Sequence, residues 1–446
     1  MAGSYTNYKI KKFLIISHDE QTVINMTETQ ASVQYFEDIF SPAIFLRLVV
    51  VDTQGLLTSL PSTDSKIKPG LKGGEQVVLT IEQTETKQVI DINETTNPYY
   101  IYKISGSTTQ STKEMFVIDI APLEVFSNET TRVFRRYPES SGSKQTIDQS
   151  VEQILTGVLK TTKKRNIDAT KNSYHFFGNS KKPFTVLTWL GPKSIPPGKS
   201  STNSGTAGFL FYENTKGYNF RSLDSLFETL SPTGSSTPVA TYRYDEKVNA
   251  PADPNSNFKI VSTPFFEKNV NVLENMRIGM YSSVNYFYDA NTRDLKLEEY
   301  KLSESLDVMK NSAANPEKPK VPKYLEDSPS RIMVKVIDQL VGEPDNSDET
   351  EGIDQRPLYQ SQSIARYNLA FSQLLNITVP LNLNLTVGDV IKLDFGNITL
   401  DESKKGLRDD LKSGNYLIKE LSHLFETNQG YTGLKLIRDS YGVPPK

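Results

Sequence analysis

The sequence predicts an α+β fold that is mainly β: two related small antiparallel β units near the chain ends, with α+β regions inserted between them. Three observations predict it. The clearest segments alternate apolar and polar residues with period two, the mark of strands buried on one face. The chain's 22 Tyr and 21 Phe, with many Thr and Val, make a strand-forming composition. A turn-plus-strand pattern that starts at Leu71 returns at Leu385.

In chain order, strands are expected at 45–51, 77–81, 99–104 and 115–120. A helix follows: Thr146 and Gln149 fit a capping box, and Ile147, Val151, Ile154, Leu155 and Val158 recur at helical spacing. After a strand at 207–212, Ser222 can cap a short helix carrying Leu223, Leu226, Phe227 and Leu230, stopped by Ser231-Pro232. Strands at 284–288 and 331–337 come next. Pro357 can open a third helix with Ile364, Tyr367, Phe371 and Leu374 on its buried side. The alternation of residues 377–386 reads as one strand, with Pro380 placing it at an edge or a bend. Strands at 391–395 and 431–438 close the chain. Residues 192–204, 231–257, 312–330 and 342–355 are rich in Pro, Gly, Ser or acid and read as loops, linkers or insertions.

The repeat aligns without gaps. Leu71, Gly74, Glu75, Val77, Leu79 and Ile81 match Leu385, Gly388, Asp389, Ile391, Leu393 and Phe395. Downstream, Tyr99, Ile101 and Ile104 match Tyr416, Ile418 and Leu421. Each copy is a glycine-permitted turn, an acid, an alternating strand and then further strands. If the match is a true duplication, the chain carries two similar β units with residues 131–355 inserted between them.

Composition removes many chemistries. There is no cysteine, which excludes disulfides, thiolate metal sites and cysteine nucleophiles. Three histidines, His18, His175 and His423, leave little for a histidine-based site. Fifty basic against 53 acidic residues give a net charge of −3, too balanced for a dedicated nucleic-acid binder. The N-terminus lacks the basic and apolar regions of a secretory signal, and no apolar run is long enough for a membrane span, so neither export nor membrane insertion is expected.

The remaining motifs read as bland. Gly198-Lys199-Ser200 resembles the end of a phosphate loop, but Lys193 stands where its first glycine is needed. The acidic run Asp345–Gly352 lacks calcium-loop spacing. The carboxylate pairs Glu37/Asp38, Glu298/Glu299, Asp401/Glu402 and Asp409/Asp410 are sequence neighbours, which point to opposite faces of a strand, so they read as surface charge. His175 and His423, beside aromatics, read as packed residues. The basic runs Arg135-Arg136 and Lys160–Arg165 read as solvated surface, or as contacts to an acidic neighbour. No catalytic, cofactor or metal residue emerges, and no enzyme is expected.

Gly414-Asn-Tyr416 through His423, then Thr432 through Ser440, with the preceding Gly388-Asp389 turn, resembles the closing strands of phage baseplate hub proteins. Segments 182–190, 205–212 and 220–227 are similar to the same group, the hub subunits of T-even-type contractile-tailed phages. Spike proteins of type VI secretion share the module. The resemblance implies a homotrimer with two tube-type β-barrels per subunit. Six barrels would then make a pseudo-sixfold ring between the hexameric tail tube and a trimeric central spike, with baseplate wedge proteins around it and DNA passing only in transit. It implies a first barrel at 1–130, an α+β domain at 131–235, an inserted β-rich region at 236–355 and a second barrel at 356–446. It also implies a place in the virion tail baseplate, assembled in the host cytoplasm. Mild acidity suits a DNA channel, because a lining without free cations does not hold phosphate. The rival readings are a tail-associated cell-wall or polysaccharide hydrolase and a host-recognising carbohydrate binder.

Overall fold

The computed structural model describes residues 7–57 (save 19, 21 and 30), 70–139 (save 111–112), 145–198, 205–228, 238–244, 258–268, 271–310 (save 291 and 307), 320–337, 356–396 and 409–440 (save 410, 427 and 428). The first unit contains β1 (Tyr8–Ile16), β2 (Val23–Asn25), β3 (Ala31–Asp38), β4 (Phe45–Asp52), β5 (Gln76–Gln83), β6 (Val89–Ile92), β7 (Tyr99–Gln110) and β8 (Lys113–Pro122). Its antiparallel order is β3-β4-β8-β7-β5-β1-β2, with β6 beside β5. Alternation explains it: Leu46, Leu48 and Val50 on β4 and Ile118 and Ile120 on β8 all turn inward and are buried. Helix α1 (Leu123–Thr130) leaves the unit.

The middle region contains β9 (Arg136–Tyr137), α2 (Ile147–Gln153), β10 (Arg165–Ile167), β11 (Phe176–Phe177), α3 (Pro183–Leu190), β12 (Phe209–Asn214), β13 (Gly217–Ser222) and α4 (Leu223–Glu228). The capping box is present: Gln149 Oε1 accepts the Thr146 N–H at 3.3 Å, and α2 runs into a π turn at Ile154–Val158. Ser222 Oγ caps α4 by accepting the Ser225 N–H at 3.0 Å. Ile154, Leu187, Leu190, Phe211 and Phe220 share a second core.

Then come β14 (Ala240–Tyr244), β15 (Phe265–Lys268), α5 (Val272–Ile278), β16 (Ser282–Asp289), β17 (Leu295–Lys301), α6 (Leu302–Ser305) and β18 (Arg331–Ile337). Helix α7 (Arg356–Ala370) leads into β19 (Gln373–Pro380), β20 (Val390–Phe395), β21 (Gly414–Glu426) and β22 (Gln429–Arg438). β15, β19, β22, β21 and β20 are antiparallel neighbours, and β14 adds parallel to β20. So β14 and β15, from the region before residue 356, complete the sheet of the second unit.

The named strands of the two units join in one 14-stranded sheet through β3 and β21, and both cores merge in one cluster. Two expectations are corrected. The strand expected over 377–386 stops at Pro380, which has no N–H to continue the ladder. Beyond it Leu381, Leu383 and Leu385 stay buried, while the Asn382 and Leu383 N–H groups bond Thr432 Oγ1 and Gln83 Oε1. Helix α7 ends at Ala370, so Phe371 and Leu374 lie past it; the Phe371 and Ser372 N–H groups turn back to the Asn368 and Leu369 carbonyls at 3.1 and 3.0 Å.

Candidate functional site

Buried polar contacts mark the two matched turns and the seam where the units meet. Gly74 and Gly388 both hold left-handed backbone, φ 86° and 85°. The Gly74 N–H donates to the Ile101 carbonyl at 2.7 Å, and the Gly388 N–H to the Ile418 carbonyl at 3.0 Å. In return Ile101 N–H donates to Glu75 O at 2.9 Å, and Ile418 N–H to Asp389 O at 2.9 Å. The acids behave alike too: Glu75 Oε1 accepts the Lys72 N–H at 2.7 Å, and Asp389 Oδ2 the Thr386 N–H at 3.2 Å. Val77 lies opposite Tyr99 as Ile391 lies opposite Tyr416. Ile104 faces Ile118 as Leu421 faces Leu434, and each ladder has a bulge at the same step, after Ile101 and after Ile418. Leu79, Ile81, Leu385, Leu393 and Phe395 are buried in the common core, with Leu71 packed against it.

The two turns differ in one respect. A methyl group at Gly388 would stand 2.4 Å from Tyr212 Oη, whereas nothing lies within 4 Å of one at Gly74. Gly74→Ala should therefore cost only backbone strain, about 1 kcal/mol. Gly388→Ala should add an overlap with a buried tyrosine, for about 2–4 kcal/mol in all. Urea denaturation of the two variants checks this, and equal losses would show that Tyr212 yields without cost.

The units meet where β21 pairs antiparallel with β3, Glu420 opposite Asp38 through Phe425 opposite Val33. Glu37 is buried in this seam. Its carboxylate accepts the Tyr35 hydroxyl at 2.6 Å, the Thr215 N–H of the β12–β13 turn at 2.8 Å and the Val387 N–H at 2.9 Å. One carboxylate thus ties the first unit, the middle region and the second repeat. Its neighbour Asp38 points the other way, to Lys419 Nζ at 3.3 Å. Burial pushes the Glu37 carboxyl up to about 7, against the lowering by its three donors. His423 is buried beside Tyr35, its Nδ1 3.0 Å from Thr432 Oγ1, and burial pulls its pKa down to about 3.

These shifts have opposite signs in stability. The Glu37 contribution is present below about 4.5 and is lost as pH rises to about 7; the His423 contribution is present above about 6.5 and is lost as pH falls toward 3. Glu37→Gln should flatten the neutral limb of a urea-midpoint profile, and His423→Gln the acid limb. Identical profiles in wild type and both variants would refute the assignment.

Other sequence candidates scatter. Asp345–Gly352, Lys199, Ser200, Asp401, Glu402 and Asp410 lie outside the described residues. Glu298 and Glu299 are neighbours on β17, His175 is buried, and His18 is exposed. Arg135 pairs with Glu139 at 2.5 Å and Arg165 with Glu152 at 2.8 Å. The Lys160–Arg165 run is not all solvated surface, because Lys163 is buried between Glu213 (2.6 Å) and Glu124 (3.1 Å). Its carboxylate partners come from distant strands and helices, which a linear charge run cannot show. Among the described residues, no group of three or more His, Asp or Glu is placed to hold a metal, and no helix is long and apolar enough to cross a membrane.

No protein-family profile matches the sequence, and no curated protein does. Solved structures do match in fold. A tail protein from Neisseria meningitidis MC58 is similar at a TM-score of 0.51 and 11% identity, over 98% of this chain and 100% of that one. The 43 kDa tail protein of prophage MuSo2 from Shewanella oneidensis is similar at 0.52 and 11% identity, over 96% and 98%. The chain has the fold of these tail proteins, in keeping with the baseplate-hub resemblance of its sequence.

Proposed function

We propose that the chain is a structural baseplate hub of a contractile phage tail. In this reading it is a homotrimer that joins the hexameric tail tube to the trimeric central spike and leaves a channel for DNA. The observation that carries the reading is the shared hydrogen-bond register of the two turn-and-strand segments, which supports duplication of one β module. Three copies of a doubled module give a threefold object six similar faces, which resolves the mismatch with a sixfold tube.

Further features support it. In the second unit the Ile260 N–H donates to Arg243 O at 3.0 Å and the Val261 N–H to Thr378 O at 2.8 Å. These bonds link β14 back toward β19, as a curled, barrel-like unit requires. The sheet face opposite the core carries charges in pairs: Arg47–Asp119 at 2.7 Å, Lys103–Asp119 at 3.9 Å, Lys435–Glu267 at 3.5 Å and Lys435–Glu420 at 3.6 Å. Cations matched in this way offer passing phosphate little to hold. On the small sheet β17-β16-β18, Leu295, Leu297, Ile332, Val334 and Val336 are exposed, an apolar face of the kind that serves assembly. A non-enzymatic, structural role fits this set.

Size-exclusion chromatography with light scattering, alone and with the spike protein, tests the reading. A trimer is expected; a chain that stays monomeric under both conditions would overturn it. Digestion of peptidoglycan or host polysaccharide by the purified chain would favour the hydrolase instead.

A further inference from the structure

We infer that the free edge of β7, from Lys103 to Thr108, pairs antiparallel with β15 (Phe265–Lys268) of a second copy of this chain. The inference rests on the ring reading above and specifies its contact. The template is the seam inside the chain. β21 keeps β22 on one edge along most of its length; on the other edge it pairs first with β20, up to Leu417, and then with β3, from Glu420 on. β7 is the corresponding strand of the first unit. It keeps β8 on one edge and pairs with β5 on the other only at Tyr99 and Tyr100. From Lys103 on, the edge that β21 gives to β3 has no partner strand among the described residues of β7.

The complementary edge is found on β15. β3 pairs with β4, whose own neighbour is β8; β15 pairs with β19, whose own neighbour is β22. Leu46 of β4 faces Ile120 and Tyr35, and Leu375 of β19 faces Leu436 and Phe266. So β15 stands to the second unit as β3 stands to the first, with Phe265 in the place of Gln34. Among the described residues β15 ends the strand order, leaving open the edge with which β3 holds β21. Gln34 Nε2 reaches Ser422 Oγ at 3.4 Å across the internal seam. Phe265, in the same place, is 62% exposed, a large apolar side chain left without cover in a single chain. Unpaired strand edges are templates for pairing, and two complementary edges on one molecule generate a closed ring when the rotation returns on itself. Three internal and three external seams then alternate around the ring.

The absence of cysteine makes the test direct. Ser105 lies where Ser422 lies in the second unit, and Glu267 lies near the position of Phe36, the residue that faces Ser422. The Ser105→Cys/Glu267→Cys double variant, mildly oxidised, should give covalent dimer and trimer on a non-reducing gel and stop at trimer. Each single variant should stay monomeric on the same gel. Phe36→Cys/Ser422→Cys is the internal control and should close within one chain. A trimer by light scattering that yields no covalent ladder would overturn this seam while leaving the ring reading in place. A monomer by light scattering that yields no ladder would overturn both.

Discussion

Replacing Arg366 by leucine should cost about 3–5 kcal/mol, because it strands two buried carboxylates at once. Arg366 sits on α7 and is fully buried. Its guanidinium reaches Asp224 at 3.2 Å and Asp439 at 3.1 Å, donates to the Lys310 carbonyl at 2.6 Å, and lies 5.0 Å from the Phe227 ring centre. Four separate pieces of chain converge there: α7, the α4 helix of the middle region, the segment after α6 and the end of β22. A planar five-donor fork can satisfy two carboxylates and a carbonyl together, and a lysine cannot. Arg366→Lys should therefore recover only a minor part of the loss. Neutralising both acids with the cation, as Arg366→Met with Asp224→Asn and Asp439→Asn, should recover most of it, since an uncharged set has no stranded charge. Urea denaturation of the three variants is the measurement. A loss below about 1 kcal/mol for Arg366→Leu would mean that water reaches the two acids.

Much of this architecture was legible in the sequence, for a physical reason. Period-two alternation reports a strand with one buried face, and residues 45–51, 77–81, 115–120, 331–337 and 391–395 all lie within strands of the structure. Turn chemistry also reads locally, so the Thr146 capping box and the Ser222 cap needed no tertiary information. Helix α3 did not read, because Phe184, Thr185, Val186 and Trp189 prefer strands, and packing of Phe184, Leu187 and Leu190 into the middle core overrides that preference. α5 carries its own local signals: Asn271 caps it by accepting the Glu274 N–H at 3.1 Å, and Gly279 ends it at φ 81°. Neither the β3–β21 seam nor the Glu37 and Arg366 contacts could be read, because each joins residues far apart in the chain. The two matched segments share a pairing register, but local sequence does not say which edges are shared.

Lys163→Met should be the second severe substitution, and unlike Arg366→Leu its cost should depend on pH. Lys163 Nζ lies 2.6 Å from Glu213 and 3.1 Å from Glu124, between the rings of Tyr99 and Tyr218. Glu124 also accepts the Thr161 hydroxyl at 2.7 Å, and Glu213 the Ile44 N–H at 3.0 Å. Burial pulls the lysine down, but the two carboxylates outweigh it and raise its pKa; burial raises that of Glu213 despite Lys163. Without the ammonium, two buried acids face each other with no cation, and the cost at pH 8 should be about 3–5 kcal/mol. Glu213 then escapes by taking up a proton, which its raised pKa allows. The deficit relative to wild type should therefore shrink as pH falls from 8 toward 5, and adding Glu213→Gln should reduce it at all pH values. A deficit that stays constant across this range would place water, not protein, around the acids. The location gives the experiment its functional reach. Ile44, Tyr99 and Glu124 belong to the first unit or its exit helix, and Glu213 and Tyr218 to the β12–β13 hairpin, whose turn donates to Glu37 in the seam. This cluster fixes the middle region against the first unit at the base of β7. If β7 supplies one half of the contact between copies, loosening the Lys163 cluster should weaken trimer formation at pH 8 more than at pH 5, in parallel with stability.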